Sequence, residues 1–235
     1  MKMKMNKEIP NMSKFMNMKG SFKVENLAET EAKLSIYGVI GSWWDDNEAT
    51  DFQRKLSRIT ADVIHVHIHS PGGDAFDGIA ICNMLKAHPA KIIVHVDGYA
   101  CSAASVIAMS GDEVIMPSNT MMMIHQASTF GWGNADELSK LAEDLRKIDT
   151  SLRATYLNRF VGTEEELKVL LNVETWLTAP EAVAMGFADK VTDDVEIPVT
   201  EESEDNDGYS EGNEPEELTV ENIMSKYKNN KGGPI

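Results

Sequence analysis

Cysteine is scarce in this chain: there are only two in 235 residues, and their spacing fits neither a disulfide framework nor a metal cluster. Cys82 lies inside an apolar helical pattern and Cys101 lies beside a serine, so we expect free thiols in a reducing compartment. Residues 1–20 are basic and methionine-rich but lack the continuous apolar core of a secretory signal. No apolar run is long enough to span a membrane. These absences predict a cytoplasmic protein.

Positive charge is also scarce. The chain carries 22 Lys and Arg against 38 Asp and Glu, a formal net charge of −16. This balance argues against nucleic acid or an anionic membrane as the main partner. The negative excess is concentrated after Asp193.

The composition divides the chain into three regions. With 42% hydrophobic residues, the chain can bury one sizeable core, which we expect within residues 21–194. Residues 1–20 are predicted to be a flexible arm and residues 195–235 an acidic, largely disordered tail. Near the end of the tail, one apolar helix face is indicated at Val220, Ile223, Met224 and Tyr227. This end is either a short docking helix or a solubilising, disordered terminus.

Strand and helix patterns alternate through the middle of the chain, which predicts an α/β fold with parallel strands and right-handed crossovers. The predicted strands are residues 33–40, 63–69, 91–97, 113–116 and 120–125. Helices are predicted at 45–59, with Asp45 or Asp46 as N-cap, at 76–87 and from Ser102 onward. The SPGG sequence of Ser70–Gly73 is expected to end its strand sharply.

One long helix is predicted after a glycine-rich segment. Asn134 and Glu137 form a capping box at its start. Apolar residues then recur at Leu138, Leu141, Leu145, Ile148 and Leu152. This narrow stripe suits helix-on-helix contact, so the helix is either a handle that contacts another subunit or an ordinary helix on its own domain. A second capping box at Thr178 and Glu181 predicts a short helix that ends at Gly186.

The stretch GYACSAASVIAMSG, Gly98–Gly111, gives the strongest chemical indication. A strand pattern leads into small residues and then into a helix, so backbone or substrate can approach closely. Ser102 stands at the start of that helix, where free N–H groups favour developing negative charge. Ser102 is therefore a candidate nucleophile. The alternative is that the small residues only permit tight helix packing.

Acyl transfer by a serine also needs a base, a group that orients the base, and donors for the oxyanion. His125 closes the apolar strand MMMIH beside a loop, and Glu174 precedes a capped helix. Ser70–Gly73 offers backbone N–H groups to a peptide. Taken singly, such a histidine is ordinarily structural, such a glutamate is ordinarily a plain surface residue, and SPGG is a simple turn.

Together, these motifs resemble the proteolytic subunit of the Clp protease (ClpP), a family of serine peptidases. The matching motifs are SPGG, GYACS, MIHQ at Met123–Gln126 and ETWLTAPEAV from Glu174, in the order and spacing of the family. The resemblance covers roughly residues 33–191. It implies the ClpP/crotonase-like α/β fold, with repeated β-β-α and βα units and a protruding long handle helix.

The resemblance also implies a catalytic triad. Ser102 aligns with the nucleophile of the family and His125 with its general base. Glu174 aligns with an acidic residue that is aspartate in the family. The longer side chain moves the carboxylate out by one methylene, and Ser-His-Glu triads exist on other folds.

The two backbone donors for the oxyanion are likewise implied by the resemblance. They fall at Gly73 and Ala103, and Gly72 adjoins them in the substrate-binding segment. No metal and no organic cofactor is implied.

The WWDD element at Trp43–Asp46, the ETWLTAPEAV motif and the acidic tail are most similar to the ClpP-related head-maturation (prohead) proteases of phages and prophages. This similarity predicts a ring-forming homo-oligomeric endopeptidase that cleaves capsid or scaffold protein in the assembling prohead, within the host cytoplasm. The N-terminal arm does not resemble the axial-loop segment of the family, which argues against docking to an ATP-dependent unfoldase.

Three alternative functions stay open. The first is a housekeeping Clp peptidase subunit that works with an ATP-dependent unfoldase. The second is a crotonase-like acyl-CoA enzyme, which shares the architecture and its backbone oxyanion donors. The third is an inactive assembly scaffold that binds through its tail.

Other reactive side chains are alternative candidates for a site. His65, His67 and His69 alternate along one strand and so face one side, which could suit a metal, but no acidic or cysteine partner is indicated. Cys101 is a rival nucleophile without a second adjacent base. Ser105, about one helical turn beyond Ser102, is expected to face packing.

Overall fold

A computed structural model describes residues 19–28, 30–41, 48–192 and 218–228. The strands are β1 Ser21–Asn26, β2 Glu31–Ile40, β3 Val63–Gly73, β4 Lys91–Cys101, β5 Glu113–Pro117, β6 Met121–Ile124, β7 Thr175–Thr178 and β8 Lys190–Thr192. The helices are α1 Ala49–Leu56, α2 Ala75–Ala87, α3 Ala103–Ala108, α4 Ala135–Tyr156, α5 Glu164–Asn172, α6 Ala179–Ala184 and α7 Val220–Lys228. Most of the predicted arm, the WWDD element and the acidic tract of residues 195–217 lie outside the described residues.

The strands form one eight-stranded sheet that forks at β4. Its main path runs β1-β2-β3-β4-β5-β8, with β1 antiparallel to β2 and every later pair on the path parallel. The first half of β4 pairs with β5, and the second half pairs in parallel with β6. Strand β7 extends this second branch in antiparallel pairing with β6. The predicted α/β fold is confirmed.

The two faces of the sheet differ in polarity. On β3, Ile64, Val66 and Ile68 point into the core and are fully buried, because successive side chains of a strand alternate between faces. The intervening His65 and His67 lie on the opposite face and are half-buried. Burial of the first face under helices α1 to α3 creates the main hydrophobic core.

Two local predictions were wrong. Strand β3 does not end at Ser70 but continues to Gly73, because Gly72 and Gly73 pair with Val39 and Ile40 of β2 across a register shift. Helix α1 begins at Ala49 with Glu48 as its N-cap. The expected caps Asp45 and Asp46 lie outside the described residues.

Both predicted capping boxes are present. Asn134 and Glu137 begin α4, while Thr178 and Glu181 begin α6. The first turns of α4 are exposed to solvent, and only its last part is fixed in the core, through side chains such as Leu152. The long helix therefore protrudes from the sheet at its N-terminal end.

The C-terminal helix α7 packs back onto the domain. Ile223 and Tyr227 are buried, and the Tyr227 ring lies 6.2 Å from that of Phe160. Lys226 Nζ donates a hydrogen bond of 2.6 Å to Glu166 in α5. The apolar face expected near the end of the tail is thus in contact with the chain's own core.

Two further observations concern membrane-spanning helices and the two cysteines. Within the described ranges, no helix is both long enough and apolar enough to cross a bilayer. Cys82 and Cys101 are both buried free thiols.

Candidate active site

The candidate residues meet where the carboxyl ends of β3, β4 and β6 converge. In the parallel pairing of β4 with β6, Cys101 lies opposite Met123. Ser102 follows directly, and its N–H donates to the Met123 carbonyl over 2.9 Å. His125 follows the end of β6 and reaches the same edge. Ligands of open parallel sheets bind at this edge.

Ser102 and His125 are in direct contact. The distance from His125 Nε2 to Ser102 Oγ is 2.7 Å, so an imidazole protonated at Nδ1 accepts the hydroxyl proton at Nε2. Burial lowers the pKa of His125 below its usual range, while the carboxylates of Glu174 and Asp149 oppose that shift. The ring is therefore held neutral near pH 7, the form that a general base requires.

The backbone of Ser102 is strained. Its φ of 55° and ψ of −123° lie in a region that residues with a Cβ rarely adopt. Gly72 makes this conformation possible, since a Cβ there would lie 2.7 Å from Ser102 Cβ and 2.6 Å from the Cys101 carbonyl oxygen. Strain at one polar residue of a close-packed turn is typical of functional sites.

The three residues proposed for the oxyanion segment are not equivalent. Gly73 and Ala103 line the same cleft as Ser102, and the N–H of Ala103 is the first of α3, which has no partner within its own helix. Gly72 instead donates its N–H to the buried hydroxyl of Ser70 over 3.1 Å. Gly73 and Ala103 therefore stay the candidate donors, and Gly72 permits the close approach of its backbone to Ser102.

Glu174 lies beside His125 without bonding to it. Strands β6 and β7 pair Ile124 with Thr175, so the next pair in register is His125 with Glu174. Glu174 is exposed and has a left-handed φ of 58°. In the described part of the chain its carboxylate forms no hydrogen bond to the imidazole, and its influence on His125 acts through its charge.

A cleft of about 290 Å³ opens over Ser102 and His125. Its wall includes Leu141, Leu145 and Ile148 of α4 and the largely exposed Phe76 of α2. The leucine stripe was predicted to face either another subunit or its own domain; the structure places its middle part against this cleft. The spacing of the stripe was visible in the sequence, but the surface that it faces was not.

Sequence reasoning missed a polar connection between α4 and the serine. Ser105 Oγ donates to the Ser102 carbonyl over 2.7 Å and lies 2.8 Å from the Tyr156 hydroxyl. Ser105 and Tyr156 are both buried. The sequence predicts only a packing role for Ser105. This pair links the end of the handle helix to the strained turn.

Cys101 does not compete with Ser102. Its side chain is buried, and burial raises the pKa of the thiol to about 12. The nucleophilic thiolate is therefore not accessible near neutral pH.

The histidines on the open sheet face are bonded to neighbours on the same face. His67 Nδ1 lies 2.9 Å from Asp97, and His65 Nδ1 lies 3.0 Å from His95 Nε2. The rings of His67 and His95 stack with centroids 4.6 Å apart. Across the described residues, no group of three or more His, Cys, Asp or Glu side chains is arranged to hold a metal ion.

A serine hydroxyl bonded to an imidazole at the carboxyl ends of parallel strands is an arrangement of the nucleophilic hydrolase type. The model of the Clp protease family matches residues 36–195, more than half of the chain. The chain belongs to the Clp protease family, and its α/β fold agrees with that membership.

Individual relatives are similar at moderate identity. The proteolytic subunit of an ATP-dependent Clp protease from Deinococcus radiodurans is 29% identical over 133 residues, 55% of this chain and 65% of the relative. A subunit of the same name from Streptococcus suis is 28% identical over 138 residues, 57% of this chain and 70% of the relative. Subunit 3 from Rhodococcus jostii is 28% identical over 130 residues, 54% and 64% of the two chains. The alignments thus cover about two thirds of each relative.

Proposed function

We propose that this protein is a serine endopeptidase of the ClpP type. The single observation that supports this most strongly is the 2.7 Å contact between Ser102 Oγ and His125 Nε2 at the floor of a cleft. Membership in the Clp protease family gives the same reaction class. A crotonase-like acyl-CoA enzyme is disfavoured, because that chemistry does not require an imidazole bonded to a serine.

The reaction follows from this geometry. His125 Nε2 takes the Ser102 proton as Oγ attacks a peptide carbonyl, and the N–H groups of Gly73 and Ala103 stabilise the oxyanion. The imidazolium returns its proton to the leaving amine as the C–N bond breaks. Water, deprotonated by the same imidazole, then hydrolyses the acyl-enzyme. The negative charge of Glu174 stabilises the imidazolium. None of these steps calls for a metal or an organic cofactor.

The cleft supports a polypeptide substrate with an apolar side chain near the scissile bond. The side chains of Leu141, Leu145 and Ile148 form an apolar wall close to Ser102, and burying one large apolar side chain contributes about 1.5–3 kcal/mol. Asp74 and Asp144 also line the cleft, so a basic residue is tolerated better than an acidic one.

Covalent labelling tests the reaction class directly. A fluorophosphonate should modify Ser102 in the wild type and should fail to modify Ser102→Ala. Peptidase activity should fall by about 10⁴–10⁶-fold in Ser102→Ala and His125→Ala. Undiminished cleavage by Ser102→Ala would refute the proposal, and an unlabelled serine in the assembled protein would favour the inactive scaffold.

The biological setting has two candidates. The WWDD element and the acidic tail favour a prohead protease that assembles as a homo-oligomeric ring and cleaves capsid or scaffold protein in the host cytoplasm. The relatives favour the housekeeping alternative, because each is named as a proteolytic subunit of an ATP-dependent Clp protease. Cleavage of scaffold protein without ATP supports the first setting. Degradation of a folded substrate only with an unfoldase and ATP supports the second.

A further inference from the structure

Asp149 is a buried carboxylate behind the candidate general base. It lies on α4 next to the cleft residue Ile148 and has only 6% of its surface exposed. Aspartate is rarely buried to this degree without an ionic partner. In the part of the chain that the structure describes, Asp149 forms no salt bridge. An unpaired buried carboxylate destabilises the fold, so its presence calls for a compensating role.

Among the described residues, the side chain of Asp149 forms one hydrogen bond, and this bond fixes the chain just beyond His125. Asp149 Oδ1 accepts the N–H of Ala127 over 2.7 Å. The preceding N–H, of Gln126, donates to the Leu171 carbonyl at the end of α5 over 3.1 Å. The backbone that follows His125 is therefore held by two different helices. Displacement of either bond would move the imidazole relative to Ser102.

We propose that Asp149 is a positioning residue for His125: it fixes the segment after the imidazole and supplies a buried negative charge that stabilises the imidazolium formed during catalysis. This inference rests on the proposed peptidase function and adds a second acidic partner to it. Glu174 stands opposite His125 in the strand register but is exposed, so water screens its charge. A charge in the interior acts through a lower effective dielectric and is felt more strongly at a given distance.

The electrostatics agree with this assignment. The charge of Glu174 and, to a smaller extent, that of Asp149 raise the pKa of His125 against the effect of burial. Two carboxylates line the cleft itself, Asp74 and Asp144. Asp74 caps α2 by accepting the N–H groups of residues 76 and 77, and Asp144 pairs with a lysine one turn later in α4. Of the four carboxylates Glu174, Asp149, Asp74 and Asp144, Asp149 is the one that bonds to the segment carrying the imidazole.

Two substitutions separate the charge of Asp149 from its hydrogen bond. Asp149→Asn keeps an acceptor oxygen for Ala127 and removes the charge, whereas Asp149→Ala removes both. Glu143→Gln, on the exposed side of the same helix, removes an equal charge and is the matched control. The readouts are the pH profile of kcat and kcat/KM on a peptide substrate, and the NMR titration of the His125 ring, assigned with His125→Gln.

Asp149→Asn should lower kcat by about tenfold with little change in KM, because the lost interaction forms only as the imidazolium develops. The acidic limb of the profile and the ring titration should both move to lower pH, since a neutral side chain no longer favours the protonated ring. Asp149→Ala should lose more activity than the asparagine variant. Glu143→Gln should match the wild type in every readout.

An Asp149→Asn protein with the His125 titration and acidic limb of the wild type would overturn the inference, even if Asp149→Ala fails to fold. The ring titration does not depend on turnover. A wild type that does not react at Ser102 therefore refutes the peptidase proposal, while the titration of the asparagine variant still decides the role of Asp149.

Discussion

Replacing Ser102 by glycine should stabilise the protein relative to replacing it by alanine. Both variants lose the hydroxyl and its bond to His125, so they differ only in the Cβ atom and the backbone freedom of residue 102. With φ at 55° and ψ at −123°, a residue with a Cβ is strained there by about 1–3 kcal/mol. Glycine is free of that strain.

The expected magnitude is the difference between two terms. Relief of strain favours glycine by about 1–3 kcal/mol, and the greater freedom of glycine in the unfolded chain opposes it by about 0.5–1 kcal/mol. The central expectation is a net gain of about 1 kcal/mol for Ser102→Gly over Ser102→Ala. In a domain of this size, such a gain raises Tm by about 2–4 °C.

Urea unfolding and thermal melts of the two variants measure this difference. Both variants lack the nucleophile, so self-cleavage does not distort either curve. Ala154→Gly is the matched control, because Ala154 is an exposed residue within α4 and glycine there should be destabilising by about 1 kcal/mol. If Ser102→Gly is less stable than Ser102→Ala by a similar amount, the strain argument is refuted.

Three further substitutions test other parts of the structure. Gly72→Ala places a Cβ 2.7 Å from Ser102 Cβ at a φ of 93°, and the displaced serine should react with a fluorophosphonate about 10²-fold more slowly. Burial beside His67 and His65 lowers the pKa of His95 to about 4. Since the unfolded chain binds that proton more readily, stability present above pH ~6.5 is lost as the pH falls toward 4. In His95→Gln, the urea midpoint should therefore change less with pH across this range. Tyr227→Ala removes a buried ring from α7 and should lower the free energy of unfolding by about 3 kcal/mol, with earlier proteolysis of the C-terminus.

Each of these three predictions has an outcome that would contradict it. Wild-type labelling rates in a folded Gly72→Ala protein would show that the turn tolerates a Cβ. An unchanged pH dependence in His95→Gln would remove His95 as the source of acid sensitivity. For the C-terminal helix, Tyr227→Phe is the control, because it keeps the buried ring and loses only the hydroxyl, with its 3.5 Å contact to Glu166 and its interaction with Lys226. Equal losses in the phenylalanine and alanine variants would contradict the packing argument.

The features that sequence reasoning predicted well are local ones. The capping boxes at Asn134 and Thr178 depend on side chains three positions apart and on one hydrogen bond in each direction. The alternation of apolar residues in β3 likewise marks a half-buried strand without reference to the rest of the chain. Such patterns can be read because their physical cause lies within a few residues.

Apart from the start of α1, the wrong and missing predictions concern pairing between distant segments. Ser70–Gly73 looked like a strand end, since proline and glycine ordinarily interrupt strands, but pairing with β2 extends β3 through it. Strand β7 is only four residues long and is not among the strands predicted from the sequence. Its pairing with β6 brings Glu174 opposite His125.

The sequence by itself determined the α/β alternation and the starts of α4 and α6, and it predicted the candidate reacting groups, because each follows from short-range pattern or from a motif. Only the tertiary structure decided that Ser102 and His125, 23 residues apart, are in contact. It also decided that the leucine stripe of α4 faces the cleft and that Asp149 is buried behind the imidazole. These relations depend on strand register and helix orientation, which are set by packing among residues far apart in the chain.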